Sequence, residues 1–191
     1  MSVSPTFLKI MTFNKQKGKN MKKLLFLSSL CYLLSAPVCA EESYKILGEF
    51  NKWKAIKAET TEGTVCFMSA EPTKSAGKYS KRDDIFLFIT HRPKDKEFNV
   101  INTVAGYTYK KGSKPTLRID NKNAVILKVL GDTAWTENTE TDQALIAQMK
   151  PGSNAVLSGT SARGTKTTDT FSLKGFTKAY ESISKACGYK K

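Results

Sequence analysis

The chain has 191 residues, with 31 Lys and Arg, 17 Asp and Glu and a single His, and its formal net charge is +14 at pH 7. It contains no internal repeat and no low-complexity tract. No apolar run reaches the roughly 20 residues that a membrane-spanning helix needs, which excludes a multi-span membrane protein.

Residues 21–40 have the pattern of a cleaved secretory signal peptide. Met21 and two lysines precede an apolar run at 24–38, and residues 38–40 supply the side chains that a signal peptidase reads. A retained membrane anchor is the alternative, but the run is too short for a span. We therefore predict translation from Met21 and cleavage after residue 40, which gives a periplasmic, secreted or outer-surface protein.

The mature protein is predicted to be a single domain at residues 41–191, after an N-terminal extension and signal at 1–40. The first forty residues contain six Lys and no acidic residue, so the mature charge is 31 − 6 − 17 = +8. Its lysines are spread along the chain, which is typical of a solvated basic surface. The alternative is attraction to an anionic envelope or host-surface component, with membranes and polysaccharides favoured over nucleic acid.

Short segments of strand character, separated by turns, make up most of the mature chain. The predicted strands are 44–58, 64–69, 84–90, 98–104, 116–119, 124–130, 133–135, 154–159 and 169–173. The continuous apolar run at 84–90 predicts a central strand that is covered on both faces. The connections lack the helices of a parallel α/β sheet, so we predict an antiparallel β-sandwich, with a partly open barrel as the alternative.

Two short helices interrupt this pattern. Thr141 or Asp142 can cap the first helix, at 143–150, and Pro151 stops it. The second follows Gly175 and ends near a cysteine. Its apolar residues are spaced four, three and four apart and therefore share one face; they are Phe176, Tyr180, Ile183 and Cys187.

Cys66 and Cys187 are the two cysteines that remain after cleavage. An even number of cysteines in an exported chain indicates a disulfide. The closed loop spans 187 − 66 = 121 residues, for which chain entropy gives roughly 4–5 kcal/mol of stabilisation. Two thiols and His91 are too few soft ligands for a zinc site, and we predict no metal and no cofactor.

Two polar segments are candidate binding surfaces. The first is a loop whose hydroxyls, cations and free backbone N–H groups can bind an anion; its residues are Ser161, Arg163, Thr165 and Lys166. The second is aromatic and basic and suits sugars, lipid headgroups or nucleic acid; its residues are Tyr107, Tyr109, Lys110 and Lys111. The plainer interpretations are a solvated hairpin loop and half-buried tyrosines.

Catalytic motifs are nearly absent. His91 follows a predicted strand and precedes Arg92 and Pro93, and we interpret it as a bystander at the strand end. The segment 159–163 begins like a nucleophile elbow at Ser161, but it lacks the closing glycine. No catalytic residue is therefore predicted, and a hydrolase that uses Ser161 or a loop carboxylate is the least favoured hypothesis.

A series of short motifs is distributed over the mature chain. It consists of Trp53, the Cys66 strand, Pro72, Arg82-Asp83-Asp84, Thr90-His91-Arg92-Pro93, Ala105-Gly106-Tyr107, Asp132-Thr133-Ala134-Trp135 and the stretch 159–188. Together these motifs resemble the invasion-associated locus B family of exported bacterial proteins. The resemblance implies an immunoglobulin-like β-sandwich, export to the periplasm or beyond, a link to host-cell invasion in some members, and no established catalytic activity.

These observations together predict an all-β protein. Its fold is an immunoglobulin-like antiparallel β-sandwich with a short internal helix and a C-terminal helix closed by a disulfide. The predicted function is that of an exported, non-enzymatic binding or interaction protein of the bacterial cell envelope that contributes to contact with a host cell. The alternative is a periplasmic structural or stress-related protein that has no host target.

Overall fold

A computed structural model of the chain describes residues 43–190, and the predicted signal peptide lies outside them. The described residues form mainly short strands. The strands are β1 Ser43–Phe50, β2 Trp53–Thr60, β3 Gly63–Ala70, β4 Lys74–Ala76, β5 Phe86–Arg92, β6 Glu97–Val104, β7 Thr116–Ile119, β8 Val125–Ile126, β9 Lys128–Leu130, β10 Thr133–Trp135, β11 Asn154–Thr160 and β12 Lys166–Ser172. The helices are α1 Thr139–Met149 and α2 Phe176–Ala186. Within this range no helix is long and apolar enough to cross a membrane.

The strands form two antiparallel sheets. The first has seven strands in the order β1-β2-β3-β5-β6-β10-β9, and the second has five in the order β4-β12-β11-β7-β8. One continuous hydrophobic core contains residues from both sheets and both helices. The prediction of an antiparallel β-sandwich with two short helices is therefore confirmed. The predicted central strand is β5, which lies fourth of seven and is buried along most of its length.

Trp53 connects the two sheets and the second helix. Its side chain is 1% exposed, and its indole N–H donates a hydrogen bond of 2.9 Å to the carbonyl of Ser172 on β12. Its ring meets that of Phe176 on α2 edge to face, with 5.1 Å between the centroids. A single aromatic residue on β2 thus contacts both β12 in the other sheet and α2.

The disulfide fixes the end of α2 to the first sheet. Cys187 follows the helix and is bonded to Cys66 on β3, as predicted. The predicted apolar face of α2 is buried at all four positions. The helix begins after Gly175 at a φ of 91°, where a Cβ atom would collide with the carbonyl oxygen of Phe50. Only glycine fits this turn.

Two predicted strands are each two strands in the structure, and β4 was not predicted. The segment 44–58 is a hairpin of two strands, since Asn51 adopts a φ of 57° and reverses the chain. The segment 124–130 is also two strands, β8 and β9, and each lies in a different sheet. Leu127 separates them and is 3% exposed, so the chain crosses from one sheet to the other by inserting one side chain into the core.

The first helix begins earlier than predicted. Its N-cap is Asn138, whose side-chain oxygen accepts a hydrogen bond of 2.9 Å from the Thr141 N–H group. Asp142 is instead buried, and its carboxylate accepts a hydrogen bond from the Ile101 N–H group on β6. This bond attaches the first turns of α1 to the seven-stranded sheet.

Candidate functional site

The two predicted binding segments lie side by side. Tyr109 and Ser161 form an antiparallel bridge, and the Lys110 N–H group donates a hydrogen bond of 2.9 Å to the Thr160 carbonyl. The segment 107–111 is therefore held along the β11–β12 hairpin. Residues that are fifty positions apart in sequence thus belong to one surface.

Two of the predicted site residues are buried and do not belong to the exposed surface. Ser161 is 8% exposed, and its hydroxyl accepts a hydrogen bond from the Thr165 N–H group. Tyr109 is 4% exposed, and its burial raises the pKa of the phenol. A Cβ atom at Gly159 would be only 2.8 Å from the Tyr109 ring, so the strand and the ring are in close contact. Both residues support the hairpin.

The backbone of the Ser161 turn is largely satisfied within the turn. Ser161 N–H donates to the Thr165 carbonyl, and Gly164 N–H donates to the Ser161 carbonyl at 2.8 Å. The N–H group of Ala162 donates to the Thr108 carbonyl. Most backbone N–H groups of the turn therefore already have partners, so the side chains are the main candidates for anion recognition.

An open groove of about 600 Å³ lies between this turn and the segment that follows β4. We call it the basic groove; its lining residues are Gly77, Lys78, Arg163, Gly164, Thr165 and Lys166. Gly77 has a φ of 148°, and a Cβ atom there would lie 2.9 Å from the Lys166 carbonyl oxygen. Glycine at this position lets the two backbones that form the groove approach each other.

The charged side chains that line the basic groove are all positive. Lys78, Arg163 and Lys166 are all exposed. Neither the segment 72–82 nor the segment 154–168 contains an Asp or Glu. None of the ion pairs between residues 43 and 190 includes any of these three cations. A concave site with unpaired charges of one sign attracts an anionic ligand.

A buried ion pair holds the two sides of the groove together. Arg82, which follows the groove segment, donates two hydrogen bonds of 2.8 and 2.6 Å to the carboxylate of Asp169 on β12. Its Nε–H group also donates to the Ala105 carbonyl at 2.7 Å. The guanidinium lies 4.8 Å from the ring centroid of Tyr107 and 5.3 Å from that of Tyr79. The two residues are 87 positions apart, and no local sequence signal indicates the pair.

Tyr107 is a bridge within the protein rather than a surface aromatic. It is half-buried, and its hydroxyl is 2.6 Å from the Thr167 hydroxyl. Its burial raises its pKa, so the phenol stays protonated near neutral pH. Of the second predicted surface, only Lys110 and Lys111 are exposed. They place two more cations on the face that carries the basic groove.

His91 is at the end of β5, as its penultimate residue, but it belongs to the strand rather than following it and is fully buried. Its Nδ1 atom accepts a hydrogen bond of 3.0 Å from the Asn99 N–H group. The neutral ring therefore carries its proton on Nε2, which donates to the Ser184 hydroxyl at 3.2 Å. Burial lowers the His91 pKa to about 4.

This His–Ser contact does not form a catalytic pair. A general base must accept the serine proton on the nitrogen that faces the hydroxyl, and Nε2 of His91 already carries a proton. The hydroxyl of Ser161 contacts a backbone N–H group and no base. Among residues 43–190, no three His, Cys, Asp or Glu side chains are grouped to hold a metal ion.

The fold and the site define a disulfide-closed β-sandwich with a basic groove at one edge of its smaller sheet. The family model described as invasion associated locus B (IalB) protein matches residues 53–184. This match covers more than half of the chain, so the chain belongs to the invasion-associated locus B family. A comparison with curated proteins found no match, and neither did one with solved structures.

Proposed function

We propose that this chain is an exported, non-enzymatic binding protein of the bacterial cell envelope that takes part in contact with a host cell. Membership of the invasion-associated locus B family supports export and the link to invasion. The Cys66–Cys187 disulfide supports an oxidising compartment, since such bonds persist outside the reducing cytosol. The mature domain is residues 41–191, after cleavage of the signal peptide.

The basic groove carries the proposal. It combines the unpaired cations Lys78, Arg163 and Lys166 and has no carboxylate in its lining. Because the groove is open and its polar groups are side chains, it suits a large anionic partner better than an enclosed small molecule. The partner is an anionic component of the envelope or of the host surface.

Charge reversal in the groove tests this function. We expect Lys78→Glu/Arg163→Glu to bind intact host cells and isolated envelope fragments about tenfold more weakly than the unmodified protein, since exposed ion pairs contribute up to about 1 kcal/mol each. The matched control is Lys52→Glu, which changes an exposed lysine in the β1–β2 turn of the other sheet. Equal binding by all three proteins would refute the groove as the binding site.

The location of the protein separates this proposal from a periplasmic structural or stress-related role. We expect antibody or added protease to reach the protein on intact bacteria, or the protein to be found in the medium. Confinement to the periplasm, together with no binding to host cells, would instead establish the structural or stress-related role.

A further inference from the structure

The outer face of the five-stranded sheet carries a regular array of hydroxyl and cationic side chains. On β7, β11 and β12, buried core residues alternate with residues that point away from the core. The outward hydroxyl residues without a partner in the protein are Thr116, Ser158, Thr160, Thr168 and Thr170; Ser172 also faces outward, but its hydroxyl accepts a hydrogen bond from the Lys174 N–H group and is left out of the set. The outward cationic residues of the same sheet are Lys74 on β4, Arg118 on β7 and Lys166 on β12. We call this set the hydroxyl face.

Strand register aligns these side chains in rows across the sheet. Lys74 pairs with Thr170, Thr170 with Val156, and Val156 with Arg118. Neighbouring strands are roughly 4.8 Å apart, so the two cations lie at the ends of a row roughly 14 Å long. The row thus has a positive charge at each end and a hydroxyl group between them.

A second row runs parallel to the first. Thr168 pairs with Ser158, and Ser158 pairs with Thr116. These residues are two positions from their counterparts in the first row, a distance of roughly 7 Å along the strands. The next outward pair along β11 and β12 is Thr160 and Lys166, and Lys166 also lines the basic groove. The hydroxyl face is therefore continuous with the groove.

The hydroxyl groups of this face have no partner within the protein. None of the hydrogen bonds between residues 43 and 190 uses the side-chain oxygens of Thr116, Ser158, Thr160, Thr168 or Thr170. The sheet has a single acidic residue, Asp169, which points inward and is paired with Arg82. The face therefore offers free hydroxyls and unpaired cations without a competing carboxylate.

This chemistry is selective among anionic ligands. Single-stranded nucleic acid is bound by stacking bases on aromatic side chains, and the outward positions of β7, β11 and β12 carry no aromatic residue. A lipid surface is bound by inserting several apolar side chains, whereas this face has only the half-buried Val156 and, at the β8 edge beside Thr116, the exposed Ile126. Sugar hydroxyls and regularly spaced carboxylates or sulfates match both kinds of group that the face presents.

From this array we infer that the face binds a linear acidic polysaccharide, which lies across the rows and continues into the basic groove. The inference rests on the proposed function and names the ligand of that site. Side-chain hydroxyls of the face hydrogen-bond the sugar hydroxyls. Lys74, Arg118 and Lys166 pair with acidic groups spaced along the chain.

Binding of polygalacturonate fragments of defined length to the purified protein tests the inference. Affinity is expected to increase with fragment length until the hydroxyl face and the groove are both spanned. Thr168→Val/Thr170→Val removes two hydroxyls while nearly preserving side-chain shape, and we expect binding about tenfold weaker. Lys74→Glu/Arg118→Glu should weaken binding to at least the same extent. Lys52→Glu is again the control, and unchanged melting temperatures establish that each variant is folded.

Inorganic polyphosphate distinguishes sugar recognition from simple charge attraction. We expect the Thr168→Val/Thr170→Val change to leave polyphosphate binding unaltered while it weakens polygalacturonate binding. If both ligands respond equally to every variant, or if only anionic vesicles bind, polysaccharide recognition is wrong. If Lys78→Glu/Arg163→Glu reduces binding to host cells and the hydroxyl-face variants do not, the proposed function stands and this inference fails.

Discussion

Arg82 and Asp169 form an ion pair with two parallel hydrogen bonds, and their side chains are 3% and 0% exposed. One residue follows the segment that carries Lys78, and the other lies on the strand that carries Lys166. We predict that Arg82→Met lowers the free energy of unfolding by about 3–5 kcal/mol, since Asp169 is left as a buried, uncompensated charge. Urea unfolding measures this change.

Replacement of both partners is the control for this prediction. Arg82→Met/Asp169→Leu should destabilise the protein less than Arg82→Met alone, because it leaves no unpaired charge in the interior. If the double variant were the less stable of the two, the unpaired charge of Asp169 would not be the cause of the loss in Arg82→Met.

The disulfide provides a second prediction. Replacing Cys66 and Cys187 together by Ala should lower the free energy of unfolding by about 4–5 kcal/mol, because the unfolded chain gains the freedom of a loop with a sequence separation of 121. Denaturant unfolding of the variant and of the oxidised protein measures the difference. Two free thiols in protein isolated from its native compartment, detected by alkylation and mass spectrometry, would contradict the disulfide.

The buried side chain of His91 is expected to make the folded protein less stable in acid. Burial lowers its pKa from 6.5 to about 4, so between these values the unfolded chain binds a proton that the folded protein does not. The contribution of neutral His91 to the free energy of unfolding is fully present above about pH 6.5. It falls by about 3 kcal/mol as the pH falls to about 4. His91→Asn removes this dependence, which unfolding measurements over that range detect.

Asp142 has the opposite pH dependence. Burial raises its pKa from 3.8 to about 6, so the folded protein holds a proton that the unfolded chain releases. Stability from this group is fully present below about pH 3.8 and is lost as the pH rises through about 6. The two groups therefore offset each other in the unmodified protein. We expect His91→Asn and Asp142→Asn to change the slope of the free energy of unfolding against pH in opposite directions. Slope changes of the same sign would contradict this.

Gly77 is predicted to shape the basic groove. Alanine there is strained by the φ of 148° and by contact with Lys166 and Thr167, so Gly77→Ala should cost about 1–3 kcal/mol and weaken binding of anionic ligands. Gly188→Ala is the matched control, because Gly188 lies outside the groove, its φ is 65° and no atom lies within 4 Å of the added carbon. The control should lose some stability and keep its affinity.

Elements defined by local spacing could be predicted from the sequence. The face of α2 that carries Tyr180 and Cys187 follows from helical periodicity, which depends on neighbouring residues only. His91 was placed just after its strand, rather than within it, for the opposite reason. β5 extends to Arg92 because Arg92 pairs with Glu97 on β6, and a preference that arises from pairing between strands is not visible in the strand itself.

In the candidate site too, features set by local sequence could be predicted and features set by pairing between strands could not. The sequence identified the loop with Arg163 and Lys166 as an anion-binding candidate, and both residues line the groove. It did not identify Gly77 and Lys78 as their partners, because only the pairing of β4 with β12 brings them together. The hydroxyl face could not be predicted either, since its rows depend on the register of four strands.

The two ends of the disulfide also set an order of events for the export proposed above, in which the N-terminus would be delivered first. Cys66 on β3 emerges before β4, while Cys187 follows α2, so every intervening element must be delivered before the bond can close. Until then Cys66 is a free thiol, open to mispairing with other exported chains. Under that proposal, the bond can close only after the chain has been delivered through α2, and a chain that stops earlier keeps a free thiol at Cys66.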